Sequence, residues 1–244
     1  MSSLHYLADD HAEFPPVGCA LEEPNGLLAV GGDLSVPRLL EAYRRGVFPW
    51  YEADQPILWW SPDPRAIVDL EHWAPNRTLR KLLRRSGATV RFDHDFAGVV
   101  EACAGPRQGE AGTWITPEMR AAYQCLHEAG HAHAVTVWYE GELAGGLYGV
   151  ALDRCFFGES MFSRRSGGSK LAFTALAKTL RDAGGTVIDC QMSNPHVTHL
   201  GAREIPRTEF CRMLEVMCRR DRSVVDWAAL RHQQPLPLTD WDAK

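Results

Sequence analysis

Long apolar runs are absent from this chain of 244 residues, and without a stretch of roughly 18 apolar residues no transmembrane helix is expected. Residues 1–10 lack the basic segment and apolar core of a secretory signal, so none is expected there. No CxxC pair occurs among the seven cysteines, which are odd in number and scattered. That pattern argues for reduced thiols in a cytoplasm and against a disulfide scaffold or a zinc ribbon. Positive charge is not in surplus: 26 Lys and Arg stand against 31 Asp and Glu, a net charge of −5, so nucleic-acid binding must come from a local basic patch. No internal repeat and no low-complexity tract is present. What remains is ordinary globular composition, 45% hydrophobic and 23% charged, in a length that holds one large domain or two smaller ones.

The first 60 or so residues are rich in Pro, Gly and Trp and read as a distinct block. Residues 27–30 form an apolar strand, and Asp33 or Ser35 caps a helix with Pro37 in its first turn and Gly46 at its stop. Residues 61–64, Ser-Pro-Asp-Pro, are the linker candidate, dividing the chain into units 1–63 and 64–244. Beyond it, strands are expected at 66–70, 89–92, 134–139, 147–152, 155–161 and 186–190. Helices are expected at 76–85, 96–104, 117–129, 169–183 and 208–219, with turns at Glu140-Gly141 and Gly145-Gly146. Helices, then an antiparallel meander, then a helix and one more strand, give a mixed α/β sheet. The Pro-rich tail from residue 234 is expected to drape over the surface.

Several constellations carry chemistry. Residues 156–164 and 187–191 are apolar strands with polar groups at or near their ends. Asp189 and Gln191 are two residues apart, so on a strand they share a face, and a carboxylate beside an amide is costly to bury without partners. The pair reads either as a positioning site or as a structural hydrogen-bonded unit. Cys190 between them faces the other side. Arg77, Arg80, Lys81, Arg84 and Arg85 recur at helical spacing on one face, with leucines opposite. That face is a solvated surface or a ridge that tracks phosphates. The run 164–170, Arg-Arg-Ser-Gly-Gly-Ser-Lys, leads into a helix and loosely echoes the pyrophosphate loop of acyl-CoA-dependent N-acetyltransferases, although a plain Gly-rich helix start reads equally well. Trp50 and Trp114 sit at loop edges, where an aromatic stacks on a base or packs in a core. His131-x-His133 has no carboxylate or Cys at matching spacing and is read as non-metal.

These residues together resemble a known family. Glu23-Pro24-Asn25-Gly26-Leu27-Leu28-Ala29-Val30-Gly31-Gly32-Asp33-Leu34, Gly46-Val47-Phe48-Pro49-Trp50 and Trp59-Trp60-Ser61-Pro62-Asp63-Pro64-Arg65 are similar to bacterial leucyl/phenylalanyl-tRNA–protein transferases. So are Gly112-Thr113-Trp114-Ile115, Gly145-Gly146-Leu147-Tyr148-Gly149-Val150, Gly158-Glu159-Ser160-Met161-Phe162-Ser163-Arg164 and Ile188-Asp189-Cys190-Gln191. The run from His199 to Arg207 extends the match, which covers residues 14–212 in order.

The resemblance implies transfer of leucine or phenylalanine, sometimes methionine, from its tRNA to the N-terminal amine of a protein beginning with Arg or Lys, which marks that protein for degradation. It implies a small N-terminal α/β domain followed by an acetyltransferase-like (GNAT) domain, and no metal or nucleotide cofactor; a cytoplasmic monomer off the membrane is expected. Carried over by position, Asp189 and Gln191 match the family's proposed catalytic pair. Glu159, Met161, Phe162 and Ser163 fall in its aminoacyl-binding strand, Trp50 and Trp114 match aromatics near the aminoacyl-adenosine end, and Asn194 matches a polar residue after the catalytic strand. The helix bearing Arg77 to Arg85 matches the tRNA-contacting position. The Gly-rich run after Arg164 departs from the more acidic run of many relatives. Such a reaction starts from an already activated ester, so holding ester and amine in register is the main demand. An apolar pocket discriminates side chains by only ~1–3 kcal/mol per methylene.

Overall fold

The computed structural model describes residues 4–8, 13–105 and 113–238, except for the side chains of residues 85 and 86. In chain order the elements are β1 (His5–Leu7), a 3-10 turn (Val17–Cys19), β2 (Leu27–Gly31), α1 (Val36–Arg44), β3 (Phe48–Pro49), β4 (Leu58–Trp60), β5 (Arg65–Asp69) and α2 (Arg77–Ser86). There follow β6 (Thr89–Phe92), α3 (Phe96–Ala104), α4 (Pro117–Glu128), β7 (Ala132–Tyr139), β8 (Glu142–Leu152), β9 (Cys155–Ser163) and α5 (Gly168–Asp182). The chain continues through β10 (Val187–Gln191), α6 (Pro195–His199), β11 (Arg203–Ile205), α7 (Arg207–Met217), α8 (Trp227–Arg231) and β12 (Leu236–Pro237).

Two mixed sheets result. A small one runs β1-β2-β4-β3, and a large one runs β11-β5-β10-β9-β8-β7-β6-β12. In the large sheet β10 lies parallel to β9 and antiparallel to β5. Alternation sorts neighbouring strand residues into two cores. Phe157 packs with Tyr43, Trp59, Tyr123, Tyr148 and Phe210, a core that joins α1, α4, α7 and the small sheet to the large one. Phe156, one residue earlier, packs with Phe92, Leu147, Phe173 and Trp227 beneath α2, α5 and α8.

Local signals explain the helix that matters most for charge. Asn76 caps α2, its Oδ1 accepting the Leu79 N–H at 3.0 Å, and Gly87 ends it in a left-handed conformation at φ 56°. Leu79 and Leu83 are buried while Arg77, Arg80, Lys81 and Arg84 are exposed. Two expectations are corrected. Gly145 and Gly146 form no turn but lie inside β8, where glycine lets backbones meet: a Cβ on Gly145 would stand 2.7 Å from the Gly168 backbone. The tail does not merely drape, because Leu236 and Pro237 pair with β6 and Leu238 is buried. Residues 61–64 connect β4 to β5 in a packed course, with Ser61 buried and its N–H donating to the Gly26 carbonyl at 2.7 Å.

Candidate active site

The site forms where β9 and β10 separate. Their parallel register runs Cys155–Val187, Phe156–Ile188 and Phe157–Asp189, and no further pair follows. Both strands then bulge. On β9, Gly158 opposes Gly149 and Ser160 opposes Tyr148, which leaves Glu159 as the extra residue. On β10, Asp189 opposes Ile67 and Gln191 opposes Ala66, which leaves Cys190 as the extra one. A bulge bends its strand and re-aims a side chain. Gln191 takes φ 62°, unusual for a residue with a Cβ, and its Nε2 donates to Glu159 Oε1 at 3.3 Å across the opening.

Glu159 is held by two tyrosines from separate helices. The Tyr43 hydroxyl of α1 donates to Oε1 at 2.8 Å and the Tyr123 hydroxyl of α4 donates to Oε2 at 2.6 Å. The two hydroxyls are themselves 2.8 Å apart. Desolvation pushes the Glu159 carboxyl up to about 7, with the charge of Asp189 adding to the rise and the tyrosine donors and Arg65 opposing it. Burial and the same carboxylate raise both tyrosine hydroxyls well above their ordinary value, so both remain donors at neutral pH.

Asp189 has a different task. Arg65 Nε donates to Oδ1 at 2.8 Å and Nη2 to Oδ2 at 2.6 Å, a two-pronged ion pair with both side chains 1% exposed. The Gln191 N–H also donates to Oδ1, at 2.9 Å. Arg65 lies between the rings of Phe48 and Phe210, at 4.9 and 4.8 Å, and its Nη1 donates to the Gly46 carbonyl at 3.0 Å. Asp189 is paired and buried, so it does not face the cavity. Its carboxylate is sealed behind the site and shapes it through the Gln191 backbone. Arg65, Tyr43 and Tyr123 are the partners that sequence reasoning did not find. Arg65 follows Pro64 at the end of a recognisable motif, but its partner lies 124 positions away, beyond any spacing rule.

A cavity of about 980 Å³ opens in front of Glu159 and Gln191, walled by Trp50, Trp60, Trp114 and Met192. Trp60 stacks edge-on against Trp50 at 5.7 Å and donates its Nε1–H to the Trp50 carbonyl at 2.7 Å, which holds the exposed Trp50 in place. Glu52 and Asp54 also line the cavity, and among the described residues no Lys or Arg does. It therefore attracts a cation.

The remaining expected residues scatter. Met161 and Phe162 fall on opposite faces of β9: Met161 packs with the core beneath α5, its Sδ 3.1 Å from His196 Nε2, and Phe162 packs with the other core. A single pocket lined by both is excluded by strand alternation. Ser163 Oγ donates to Ser169 Oγ at 3.0 Å and accepts the Ser169 N–H at 2.9 Å. Asn194 caps α6, accepting the N–H groups of His196 and Val197. Arg77, Arg80, Lys81 and Arg84 line an open depression of about 560 Å³, while the Arg85 side chain lies outside the described residues. His133 does have a carboxylate partner. Asp93 Oδ2 lies 2.7 Å from its Nδ1, and His127 brings a third donor atom within 4.8 Å of both. His127 Nδ1 is also 2.7 Å from the Ala132 carbonyl and Asp93 Oδ1 accepts the Ala134 N–H, so protein groups already engage the cluster.

Comparison with known proteins identifies what the chain resembles. The family described as leucyl/phenylalanyl-tRNA protein transferase matches residues 67–215, and the N-terminal domain of the same description matches residues 32–63. A leucyl/phenylalanyl-tRNA–protein transferase of Azotobacter vinelandii is 56% identical over 227 residues, which cover 93% of this chain and 100% of the relative. One from Aromatoleum aromaticum is 58% identical over 199 residues, covering 82% of this chain and 84% of the relative. Among solved structures, FemX aligns with 74% of this chain and 71% of its own at 13% identity and a TM-score of 0.46.

Proposed function

The chain belongs to the leucyl/phenylalanyl-tRNA–protein transferases, a family of aminoacyltransferases, and on that premise we propose that its acceptor is a protein N-terminus beginning with Arg or Lys. The observation that carries the reading is the charge of the cavity, where among the described residues Glu52, Asp54 and Glu159 stand without a lysine or arginine. A doubly cationic N-terminal residue suits such walls. Glu159 receives the acceptor amine. With its carboxyl near 7 and an α-amine ordinarily near ~8, the proton passes between groups of matched affinity. The neutral amine attacks the ester carbonyl, a C–N bond forms, the ester C–O bond breaks, and the ribose oxygen leaves with a proton. Gln191 positions the amine, and the Arg65–Asp189 pair holds the β10 bulge that presents Gln191.

The donor approaches from the basic face of α2, with Trp50 and Trp114 stacking on its terminal adenosine. Its Leu or Phe side chain enters between β9 and β10, flanked by Met161 and Cys190, both half-buried against the core beneath α5. The donor's side chain therefore enters the separation of the two strands, while its adenosine and the acceptor share the cavity. Units 1–63 and 64–244 divide the work: the first supplies Trp50 and the acidic rim, the second the bulged strands and the tRNA face. A modified N-terminus then marks the acceptor protein for degradation.

The test uses leucyl-tRNA as donor and two peptides as acceptors, one with a free N-terminal Arg and one with that amine acetylated. The first gains the mass of one leucyl residue and the second gains nothing. Equal gain by both, or gain by neither, contradicts the proposal.

A further inference from the structure

We propose that Arg164 and Arg165, on the loop between β9 and α5, extend the basic face of α2 and bind phosphates of the tRNA near its aminoacylated end. The inference rests on the transferase reading above and deepens it. Contiguity comes first. The loop abuts α2: a Cβ on Gly167 would lie 2.8 Å from Leu82 Cδ2, and Leu82 is half-buried on the flank of the helix, between its buried leucines and its cationic face. Both arginines are exposed, and neither forms an ion pair among the described residues. Their backbone N–H groups both donate to the Ala144 carbonyl at 2.9 Å, which fixes where the side chains start. The Arg165 guanidinium then lies 4.2 Å over the Tyr139 ring and that of Arg164 lies 5.9 Å from the Phe162 ring. A guanidinium laid on a ring is pre-oriented, and its planar fork matches phosphate oxygens.

The backbone argues against the other reading of this loop. A pyrophosphate cradle of the acyl-CoA kind needs free N–H groups at the start of α5. Here the Gly168 N–H donates to the Arg165 carbonyl at 3.0 Å and the Ser169 N–H donates to Ser163 Oγ at 2.9 Å. The face of Gly168 is covered as well, since a Cβ there would stand 2.3 Å from the Ala144 carbonyl oxygen. The glycines serve close packing against β8, and the anion-binding capacity lies in the two side chains. Their position selects the phosphates they meet. Arg164 follows Glu159 by five residues of strand, roughly 17 Å, a span of a few nucleotides from the reacting ester.

The experiment is a salt titration of leucyl-tRNA binding, followed by fluorescence anisotropy, for the wild-type protein and the Arg164→Glu/Arg165→Glu pair. Each single-strand phosphate contact contributes about 0.7 to the slope of log K against log salt. The variant is expected to bind at least about tenfold more weakly at 0.1 M salt, with a slope smaller by about 1 to 1.5. Arg164→Gln/Arg165→Gln should change both in the same direction, which separates lost contact from new repulsion, and a thermal midpoint close to wild type confirms the fold. Coenzyme A at millimolar concentration should not displace the tRNA from the wild-type protein. An unchanged slope in both variants, or displacement by coenzyme A that the variants abolish, overturns the proposal. Transfer to an Arg-starting peptide is run alongside. Its absence in the wild type would sink the functional reading, whereas intact transfer with unchanged slopes sinks only this inference.

Discussion

At the scale of single residues, the account turns on two carboxylates with opposite situations. Asp189 is fully paired and removed from water, so losing it strands the Arg65 guanidinium in the core. Asp189→Ala is expected to cost about 3–5 kcal/mol of stability in urea unfolding, whereas Gln191→Ala, at a half-exposed position, costs under about 1 kcal/mol. Replacing Arg65 and Asp189 together by apolar residues should recover much of the loss, and additive losses would contradict a coupled pair. Glu159 is the reverse case. Its folded affinity for protons, about 7, exceeds the ordinary value of 4.5, so the folded state holds a proton that the unfolded state releases. Its contribution to stability is therefore present below about 4.5 and is lost as pH rises through 7. Glu159→Gln should raise the thermal midpoint relative to wild type more at pH 8 than at pH 5. The same difference at both values would contradict a perturbed carboxyl. Asp189, Gln191 and Glu159 were all legible as candidates from their strands. The partners that define their roles were not, because Tyr43 and Tyr123 reach Glu159 from 116 and 36 positions away.

At the scale of elements, helices with caps and leucine stripes were legible nearly to the residue, and α2 matches its expected face and its Asn76 start. Short elements were not. β1, β3, β11 and β12 have two or three residues each, too few to show a period, and exist because a neighbouring strand offers an edge. The glycine pair of β8 misled for a physical reason: Gly145 marks close approach of α5 and Gly146 that of the Val135 carbonyl of β7, not a turn. Gly145→Ala should therefore destabilise the fold by about 1–3 kcal/mol through overpacking against Gly168. Gly141→Ala probes a different requirement, since no atom lies within 4 Å of the added Cβ and the cost comes only from its left-handed φ of 86°. A Gly145→Ala protein as stable as wild type would contradict the close approach. The two bulges were invisible to alternation rules, since each inserts one unpaired residue, yet they open β9 from β10.

At the scale of the whole molecule, a chain of net charge −5 separates its charges in space, with cations on α2 and the β9–α5 loop and carboxylates around the cavity. Reversing Arg80 and Arg84 to Glu should raise the KM for leucyl-tRNA at least about tenfold and flatten its salt dependence, with the KM for the peptide little changed. Parallel changes in both would show α2 to be structural. Among the described residues no helix is long and apolar enough to cross a membrane, which matches the sequence expectation. Selection of a cationic N-terminus by the cavity is read from one ratio. That ratio is kcat/KM for leucyl transfer to a peptide beginning with Arg over the same peptide beginning with Glu, at matched leucyl-tRNA and ionic strength. The account predicts a preference for Arg of at least about tenfold, worth roughly 1.4 kcal/mol, that shrinks when Glu52 and Asp54 are neutralised. A ratio near one in the wild-type protein would contradict it.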